Sequence, residues 1–349
     1  MSFASRLTRA LIFTPLFSLP RSVKLKMVGG EEKLSIAGRT LDIDTMILAK
    51  NSAKGPQLDR MPPEKARALF HRMTSLAKGE LSKNILMSNL VIPITNSAIQ
   101  ARLYTPGTLN KCSALMVYFH GGGNVIGDLD SYDVLCADFA EQMNIRVLSV
   151  DYRLAPEHKF PTAAKDAFAA YCWARDNAQI LNINKQQIIL AGDSAGGYLS
   201  SVVSLQAIQN NMPLPKAQLL IYPMTDMRMQ TESYQLFAEN LLLTRKLMAY
   251  FIGHYLNSEG EKTDPLASPL LAADDNLKKM PRTILTVAGF DPLHDEGLAF
   301  YEKLKSLGVK IQLLEHNDLT HGFVTLTGVL KRARAATDEI IGAAKSLLD

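Results

Sequence analysis

The sequence has little of what several common classes of protein require. It contains only three cysteines, Cys112, Cys136 and Cys172, and no C-x-x-C pair, so neither a disulfide framework nor a zinc site is indicated. No two histidines have the H-E-x-x-H spacing of a zinc hydrolase. No apolar run approaches the roughly 20 residues of a membrane-spanning helix. We therefore expect a globular protein whose 349 residues bury a large core without cross-links.

Acidic residues are absent from the first 30 positions, which hold five basic ones: Arg6, Arg9, Arg21, Lys24 and Lys26. Removing these five from the 38 basic side chains of the whole chain leaves 33, against 34 acidic ones. The remainder is therefore balanced in charge. Since it also has no stripe dense in Lys and Arg, we do not expect this protein to bind nucleic acid.

Two interpretations of the basic N-terminal segment stay open. Its apolar residues fall on one face of a short helix: Phe3, Leu7, Ala10 and Leu11. Pro15 and Pro20 limit that helix to about three turns. It is either a membrane-surface anchor or part of a cap, and we favour the cap because so short a stripe binds lipid weakly. Pro15 also interrupts any secretory signal, so we expect a cytoplasmic protein, with a peripheral-membrane or exported form as alternatives.

From about residue 85, short apolar runs alternate with helical patterns, as in a mostly parallel sheet with crossover helices. We expect Pro93 to end the first strand because it cannot donate a ladder hydrogen bond. The predicted strands are Leu86–Ile92, Gln100–Tyr104, Leu115–Phe119, Val147–Asp151, Ile188–Ala191, Gln218–Tyr222, Ile284–Ala288 and Lys310–Leu314. The predicted helices are Pro63–Gly79, Ala163–Ala178, Ala195–Gln209, Arg245–Leu256 (with Thr244 as N-cap), Gly297–Leu307 and Arg332–Leu348.

The strongest chemical signal is Gly192-Asp193-Ser194-Ala195-Gly196, between a predicted strand and a predicted helix. This is the G-x-S-x-G nucleophile elbow in the context it requires. The tight turn needs small flanking residues and lifts the Ser194 hydroxyl to the carboxyl edge of the sheet. It also leaves the Ala195 N–H at a helix N-terminus, where it faces developing negative charge.

A second signal, His120-Gly121-Gly122-Gly123, follows another predicted strand. Bare backbone at three glycines can approach a substrate oxygen closely, and its N–H groups can complete an oxyanion hole with Ala195. We expect His120 to orient this loop rather than to react.

A serine nucleophile needs a base, and the base needs a carboxylate that orients it. Both are expected after the serine in the chain, in the order acid and then histidine. Asp291 follows the predicted strand Ile284–Ala288, with Asp295 and Asp318 as rivals. His316 and His321 both follow the last strand, and spacing alone does not separate them.

Together these motifs resemble the hormone-sensitive-lipase-like family of α/β-hydrolases, the branch with a Gly-Asp-Ser-Ala-Gly elbow. The resemblance spans about residues 60–325. Besides the elbow and the glycine loop, it is carried by Asp151-Tyr152-Arg153-Leu154-Ala155-Pro156-Glu157-His158, Tyr222-Pro223, Asp291-Pro292-Leu293 and His321-Gly322-Phe323.

The resemblance implies an α/β-hydrolase fold, with an eight-stranded, mostly parallel sheet flanked by helices. It implies Ser194 as nucleophile, Asp291 as orienting acid and His321 as base, with oxyanion donors at Gly122, Gly123 and Ala195. It also implies a helical cap made of an N-terminal segment, residues 1–80, and an insertion at about 225–280 in the catalytic domain, residues 81–349. One departure is Asn124, where the family commonly has an aromatic residue after the glycines.

We therefore expect a serine carboxylesterase that hydrolyses short- to medium-chain esters through an acyl-enzyme. No cofactor and no metal are expected, and the partner is a small ester, with a homodimer as one alternative for the assembly. An amidase or deacetylase with the same triad is the first alternative function. A non-catalytic binding protein on this fold is the second, and it is disfavoured because every triad residue is present.

Overall fold

A mixed eight-stranded sheet forms the centre of the molecule, whose computed structural model describes Phe13, residues 15–109 and residues 111–349. In chain order the strands are β1 Ile85–Ile94, β2 Ser97–Pro106, β3 Ser113–Phe119, β4 Arg146–Asp151, β5 Ile183–Asp193, β6 Ala217–Ile221, β7 Arg282–Phe290 and β8 Ile311–Thr320. Their order across the sheet is β8-β7-β6-β5-β3-β4-β2-β1. Along this order, every neighbouring pair from β8 across to β4 is parallel. Strand β2 is antiparallel to both of its neighbours, β1 and β4. All eight predicted strands are present, and the α/β prediction is confirmed. The predicted end of the last strand at Leu314 was wrong, because β8 continues to Thr320 and His316 lies within it rather than in the loop that follows.

Helices cover both faces of this sheet. The longer ones are α1 Arg21–Val28, α2 Ile43–Lys54, α3 Pro63–Ala77, α4 Leu129–Met143, α5 Thr162–Asp176, α6 Ala195–Gln209, α7 Arg245–Tyr255, α8 His294–Ser306 and α9 Lys331–Ala344. Short helical turns are Glu31–Leu34, Leu58–Arg60, Ser233–Leu236, Glu259–Thr263, Pro269–Leu271, Asp274–Leu277, Phe323–Thr325 and Lys345–Leu348. A two-residue hairpin, Ser35–Ile36 with Arg39–Thr40, precedes α2.

Local signals explain where several helices begin. Thr244 accepts a hydrogen bond from Leu247 N at 3.1 Å and so caps α7 as predicted. Helix α3 begins at Pro63, where the missing N–H costs nothing, and it ends two residues before the predicted stop at Gly79.

Helix α4 is an element that the sequence patterns did not predict. Asp128 caps it by accepting from Ser131 N at 2.7 Å, and Asn144 ends it in the left-handed conformation. It contacts β2 and β4 as well as α3 and α9. Because it is buried on several sides, it lacks the single apolar stripe by which amphipathic helices are recognised.

Pro93 was expected to end the first strand, and this expectation was wrong. Strand β1 continues to Ile94, with Pro93 opposite Ala98 of β2. Since β1 is the edge of the sheet, the side of the strand that faces solvent needs no ladder donor, and proline is tolerated there.

Two parts of the chain lie outside the regular sheet-and-helix alternation. The N-terminal segment as far as α3 precedes β1, and the insertion at residues 222–281 joins β6 to β7. The predicted apolar face of Phe3, Leu7, Ala10 and Leu11 lies outside the described residues. None of the helices in the described part of the chain combines the length and apolar character needed to cross a bilayer.

Candidate active site

The turn between β5 and α6 holds Ser194 in a conformation that few residues adopt. Its φ is 55° and its ψ is −117°, so the backbone is strained at this one position. A Cβ atom added to Gly196 would lie 1.8 Å from the carbonyl oxygen of Phe119, and one added to Gly192 would lie 2.3 Å from the Gly196 carbonyl carbon. The turn therefore closes only because both flanking residues are glycine.

Three of the predicted side chains meet at this turn. Ser194 Oγ lies 2.9 Å from His321 Nε2, and His321 Nδ1 lies 2.6 Å from Asp291 Oδ2. Asp291 is fully buried, whereas Ser194 and His321 each keep 8% of their surface exposed. The carboxylate is thus withdrawn from water, and the hydroxyl remains within reach of a substrate.

The neighbours of Asp291 and His321 fix both side chains in orientation. The second carboxylate oxygen of Asp291 accepts a hydrogen bond from Leu293 N at 2.8 Å. The ring of Tyr222 packs against the imidazole of His321, with centroids 4.5 Å apart. Bonds and packing of this kind hold a reactive group in one geometry.

The rival acids and the rival histidine are engaged elsewhere. His316 is buried with its ring 5.1 Å from that of Phe323, and burial lowers its pKa. Asp318 pairs with Arg332 at 2.7 Å. Asp295 lies 2.9 Å from His294 Nδ1; although burial raises its pKa, hydrogen bonds from His294 and Ser233 lower it overall.

The glycine loop after β3 takes up left-handed backbone conformations, with φ of 111° at Gly122 and 62° at Gly123. A Cβ on Gly122 would lie 2.1 Å from Ile126 O, and one on Gly123 would lie 2.3 Å from the ring of Phe251. Both residues line the same cavity as Ser194. Helix α6 begins at Ala195, directly beside that serine, so its first N–H groups lack helical partners.

Asp193 ties the elbow to the glycine loop. Its carboxylate accepts from Tyr118 Oη at 2.7 Å, from Gly121 N at 2.9 Å and from Tyr132 Oη at 3.2 Å. Burial raises its pKa, and the hydrogen bond from Tyr118 opposes that rise. A Cβ on Gly121 would lie 2.4 Å from the same carboxylate, so this loop residue must also be small.

His120 makes its contacts within the loop. Its ring stacks on Tyr152 with centroids 4.4 Å apart, and its Nδ1 lies 2.7 Å from Gly121 O. The Tyr152 hydroxyl donates to the carbonyl oxygen of His120 at 2.7 Å. These contacts agree with an orienting role.

Asn124, the departure from the family pattern, has a backbone reason for its identity. Its φ is 59°, and asparagine tolerates the left-handed region better than most residues. Its carbonyl oxygen accepts from Ala155 N at 2.8 Å, and its side chain is fully buried.

A cavity of about 270 Å³ opens above Ser194 and His321. Its apolar lining comes from two parts of the chain. The N-terminal segment contributes Phe13, Leu48, Pro56, Leu58, Phe70, Met73 and Leu76, and the insertion contributes Leu241, Leu242, Leu243, Leu247 and Phe251. In the described part of the chain, no three His, Cys, Asp or Glu side chains group as metal ligands would.

A model of the family described as "alpha/beta hydrolase fold" matches residues 116–325. The chain is 40% identical over 268 residues to the carboxylic ester hydrolase LipN of Mycobacterium tuberculosis, covering 75% of this chain and 70% of that one. It is 32% identical over 288 residues to ethyl acetate hydrolase of Pseudomonas putida, covering 81% and 90%. The structure of an ester hydrolase from the metagenome of Lake Arreo superposes with a TM-score of 0.84 at 32% identity, covering 88% and 99%.

The chain belongs to the α/β-hydrolase family. Its motifs and relatives place it in the hormone-sensitive-lipase-like branch, as the sequence resemblance implied. It is a carboxylic ester hydrolase.

Sequence reasoning gave no role to several residues that touch the site. Tyr132 reaches Asp193 from α4, Phe251 reaches Gly123 from α7, and Tyr222 contacts His321. Tyr222 belongs to the Tyr222-Pro223 motif, but for none of the three does the local sequence indicate which residue it contacts. Their contacts arise only when the chain folds.

The two candidate histidines give a direct test of the site. We expect His321→Ala to lower kcat by roughly 10⁴-fold, because the serine then has no base. His316→Ala should leave kcat within about twofold, although losing a buried ring lowers the melting temperature. Steady-state rates on p-nitrophenyl butyrate, measured below both melting temperatures, check this. An inactive His316→Ala with an active His321→Ala would reverse the assignment.

The close approach at Gly122 gives a second test. A valine there collides with Ile126 O and distorts the loop. We therefore expect Gly122→Val to lower kcat by roughly 10²–10³-fold, the cost of one lost oxyanion donor. Gly342→Val is a matched control, because a Cβ at Gly342 meets nothing within 4 Å. A Gly122→Val variant with wild-type kcat would contradict the predicted role of Gly122 as an oxyanion donor.

Proposed function

We propose that this protein is a serine carboxylesterase in which Ser194, His321 and Asp291 act as the catalytic triad. The observation that carries the proposal is one continuous chain of short contacts. It runs from a buried carboxylate through an imidazole to a serine hydroxyl at the floor of an apolar cavity.

The proposed reaction begins when Ser194 Oγ attacks the ester carbonyl carbon and His321 Nε2 takes its proton. The bond from that carbon to the alcohol oxygen then breaks, and the imidazolium protonates the departing alkoxide. Water attacks the acyl-enzyme in the same way, with its proton passing to His321 and then to Ser194 Oγ as the carboxylic acid leaves. Asp291 holds the imidazole in one tautomer throughout and offsets its positive charge.

The oxyanion of each tetrahedral intermediate would be held by the backbone N–H groups of Gly122, Gly123 and Ala195. Donors that are already fixed by the fold need no rearrangement during the reaction, which makes such a site effective. The tight packing at Gly122 and Gly123, and the start of α6 at Ala195, support this role.

The cavity favours an uncharged ester with short- to medium-chain groups. Apolar residues make up most of its lining, and no Lys or Arg is among the described residues that line it, so an anionic acyl group would lose hydration without gaining a cationic partner. The cavity volume of about 270 Å³ lies just below the roughly 300 Å³ at which typical small-molecule sites begin. The N-terminal segment and the insertion would act together as the cap over this cavity.

An amidase with the same triad is the remaining alternative. The relatives reported above carry the names of ester hydrolases, which favours the ester. Comparing p-nitrophenyl butyrate with p-nitrobutyranilide, which differ only in the scissile bond, separates the two activities.

We expect Ser194→Ala to remain folded and to lose esterase activity by roughly 10⁴-fold or more, because nucleophile and base act as one unit. A fluorophosphonate probe should label the wild-type chain once, at Ser194, and should not label the variant. Intact-mass spectrometry reads out the labelling. Turnover close to that of the wild type in Ser194→Ala would end the serine-hydrolase proposal.

Deleting residues 1–30 tests the proposed cap, because the deletion removes Phe13 from the cavity lining and the buried Val28. We expect kcat/KM to fall and the optimum among p-nitrophenyl esters of two to twelve carbons to shift. As a matched control, Arg6→Ser with Arg9→Ser removes charge and leaves residues 13–30 in place, so its kinetics should be unchanged. If the deletion leaves the kinetics unchanged but abolishes salt-sensitive binding to anionic vesicles, residues 1–30 are a membrane anchor and not part of the cap.

A further inference from the structure

A side chain of the N-terminal segment reaches the strand that carries the proposed catalytic acid. Arg39, in the short hairpin, donates a hydrogen bond from Nη1 to the carbonyl oxygen of Gly289 at 2.8 Å, across 250 positions of sequence. Gly289 lies at the end of β7, two residues before Asp291. Its own position is constrained, because a Cβ there would lie 2.4 Å from Asn317 O of β8. Arg39 therefore holds, through this hydrogen bond, the backbone two residues before Asp291.

The residue between Gly289 and Asp291 is held by the same segment. Phe290 is fully buried in an apolar cluster separate from the main core of the sheet. The cluster also contains Leu41, Ile43 and Ile47 of the N-terminal segment. The ring of Phe237, from the insertion, lies against that of Phe290 with centroids 5.6 Å apart. The backbone leading to Asp291 is thus fixed on one side by a guanidinium and on the other by packing.

The strand that leads to His321 has a similar contact. Asp42 N donates to Asp318 O at 2.9 Å, three residues before the histidine. This contact falls where the register between β7 and β8 shifts, between His316 and Thr320. Regular ladder pairing is interrupted between these two residues and resumes at Thr320, which pairs with Phe290. Residues 39–42 bridge the two strands at that point.

We propose that Arg39 is a positioning residue for the acid–base pair, so that the N-terminal segment contributes to turnover as well as to covering the cavity. The inference rests on the proposed triad. A proton is transferred efficiently only when the imidazole is aimed at Ser194 Oγ, and the 2.6 Å contact with Asp291 provides that aim. A shift of the Asp291 backbone by a fraction of an ångström would weaken this contact and so misalign the imidazole.

Three variants separate positioning from general support of the fold. Arg39→Met keeps most of the side-chain length and removes the donor, so we expect kcat to fall about tenfold with KM unchanged. Arg39→Lys retains a cationic donor and should recover most of that loss. Arg60→Met is the matched control, at an exposed arginine of the same segment, and should keep wild-type constants. Wild-type kcat in Arg39→Met, or a loss that appears only as a raised KM, overturns the proposal.

A double-mutant cycle identifies the residue through which Arg39 acts. If it acts by orienting Asp291, adding Arg39→Met to Asp291→Asn should lower kcat by less than twofold further, because the acid is already lost. Arg67 gives the comparison, since it donates to Val125 O and Ala155 O behind the glycine loop, at 2.8 Å each. Arg67→Met should lower kcat by the same factor in both backgrounds.

The outcomes of the cycle distinguish this inference from the proposed function. If Arg39→Met costs its full factor in the Asp291→Asn background, Arg39 does not act through the acid and the inference fails alone. If Asp291→Asn itself turns over at the wild-type rate, the proposed triad fails and the inference fails with it. Should Arg39→Met prove too unstable to assay, the same cycle is run with Arg39→Leu, which likewise removes the donor.

Discussion

The approach of the β5–α6 turn to the end of β3 is the constraint on which the rest of the site depends. Phe119 and Gly192 are paired residues of adjacent parallel strands, and the Phe119 carbonyl fills the space that a side chain at Gly196 would need. Phe119 is followed directly by His120 and the glycine loop. The two motifs to which we assign the chemistry are therefore adjacent because their strands are neighbours in the sheet. The serine and the proposed oxyanion donors share one cavity for the same reason.

This close approach buries the Asp193 carboxylate, and the fold supplies hydrogen-bond donors for it. Asp193 lies in the turn itself and would be costly to bury alone. Two tyrosine hydroxyls, from Tyr118 and Tyr132, and the N–H of Gly121 satisfy its carboxylate. Because one oxygen accepts from both β3 and the loop that follows it, the bonds that offset the burial also hold the glycine loop against the elbow. The same hydrogen bonds to Asp193 therefore stabilise the buried carboxylate and fix the position of the glycine loop.

The sequence predicted most of the sheet because each parallel strand is an apolar run with a chemical motif at its carboxyl end. It also predicted the tight turn at Ser194, whose flanking glycines are a local requirement. It left His316 and His321 open for a physical reason. The register of β8 against β7 shifts between His316 and Thr320, and no spacing rule foresees which of the two histidines then faces Ser194. The link between Arg39 and Gly289 has no local signal at all, since it forms across 250 positions.

In the proposed mechanism, one segment serves specificity and chemistry together. The apolar residues that line the cavity come largely from the N-terminal segment and the insertion. Ser194, Asp291 and His321 instead lie at strand ends of the sheet. Because the two sets of residues lie on different parts of the chain, substitutions in the cavity lining can alter its shape without moving Ser194, Asp291 or His321. Arg39 and Arg67 connect these parts, because each belongs to the N-terminal segment and donates to backbone beside the site. A change in this segment that repacks the cavity and leaves both arginines seated should alter substrate preference first, whereas one that displaces either arginine should lower turnover for every ester alike.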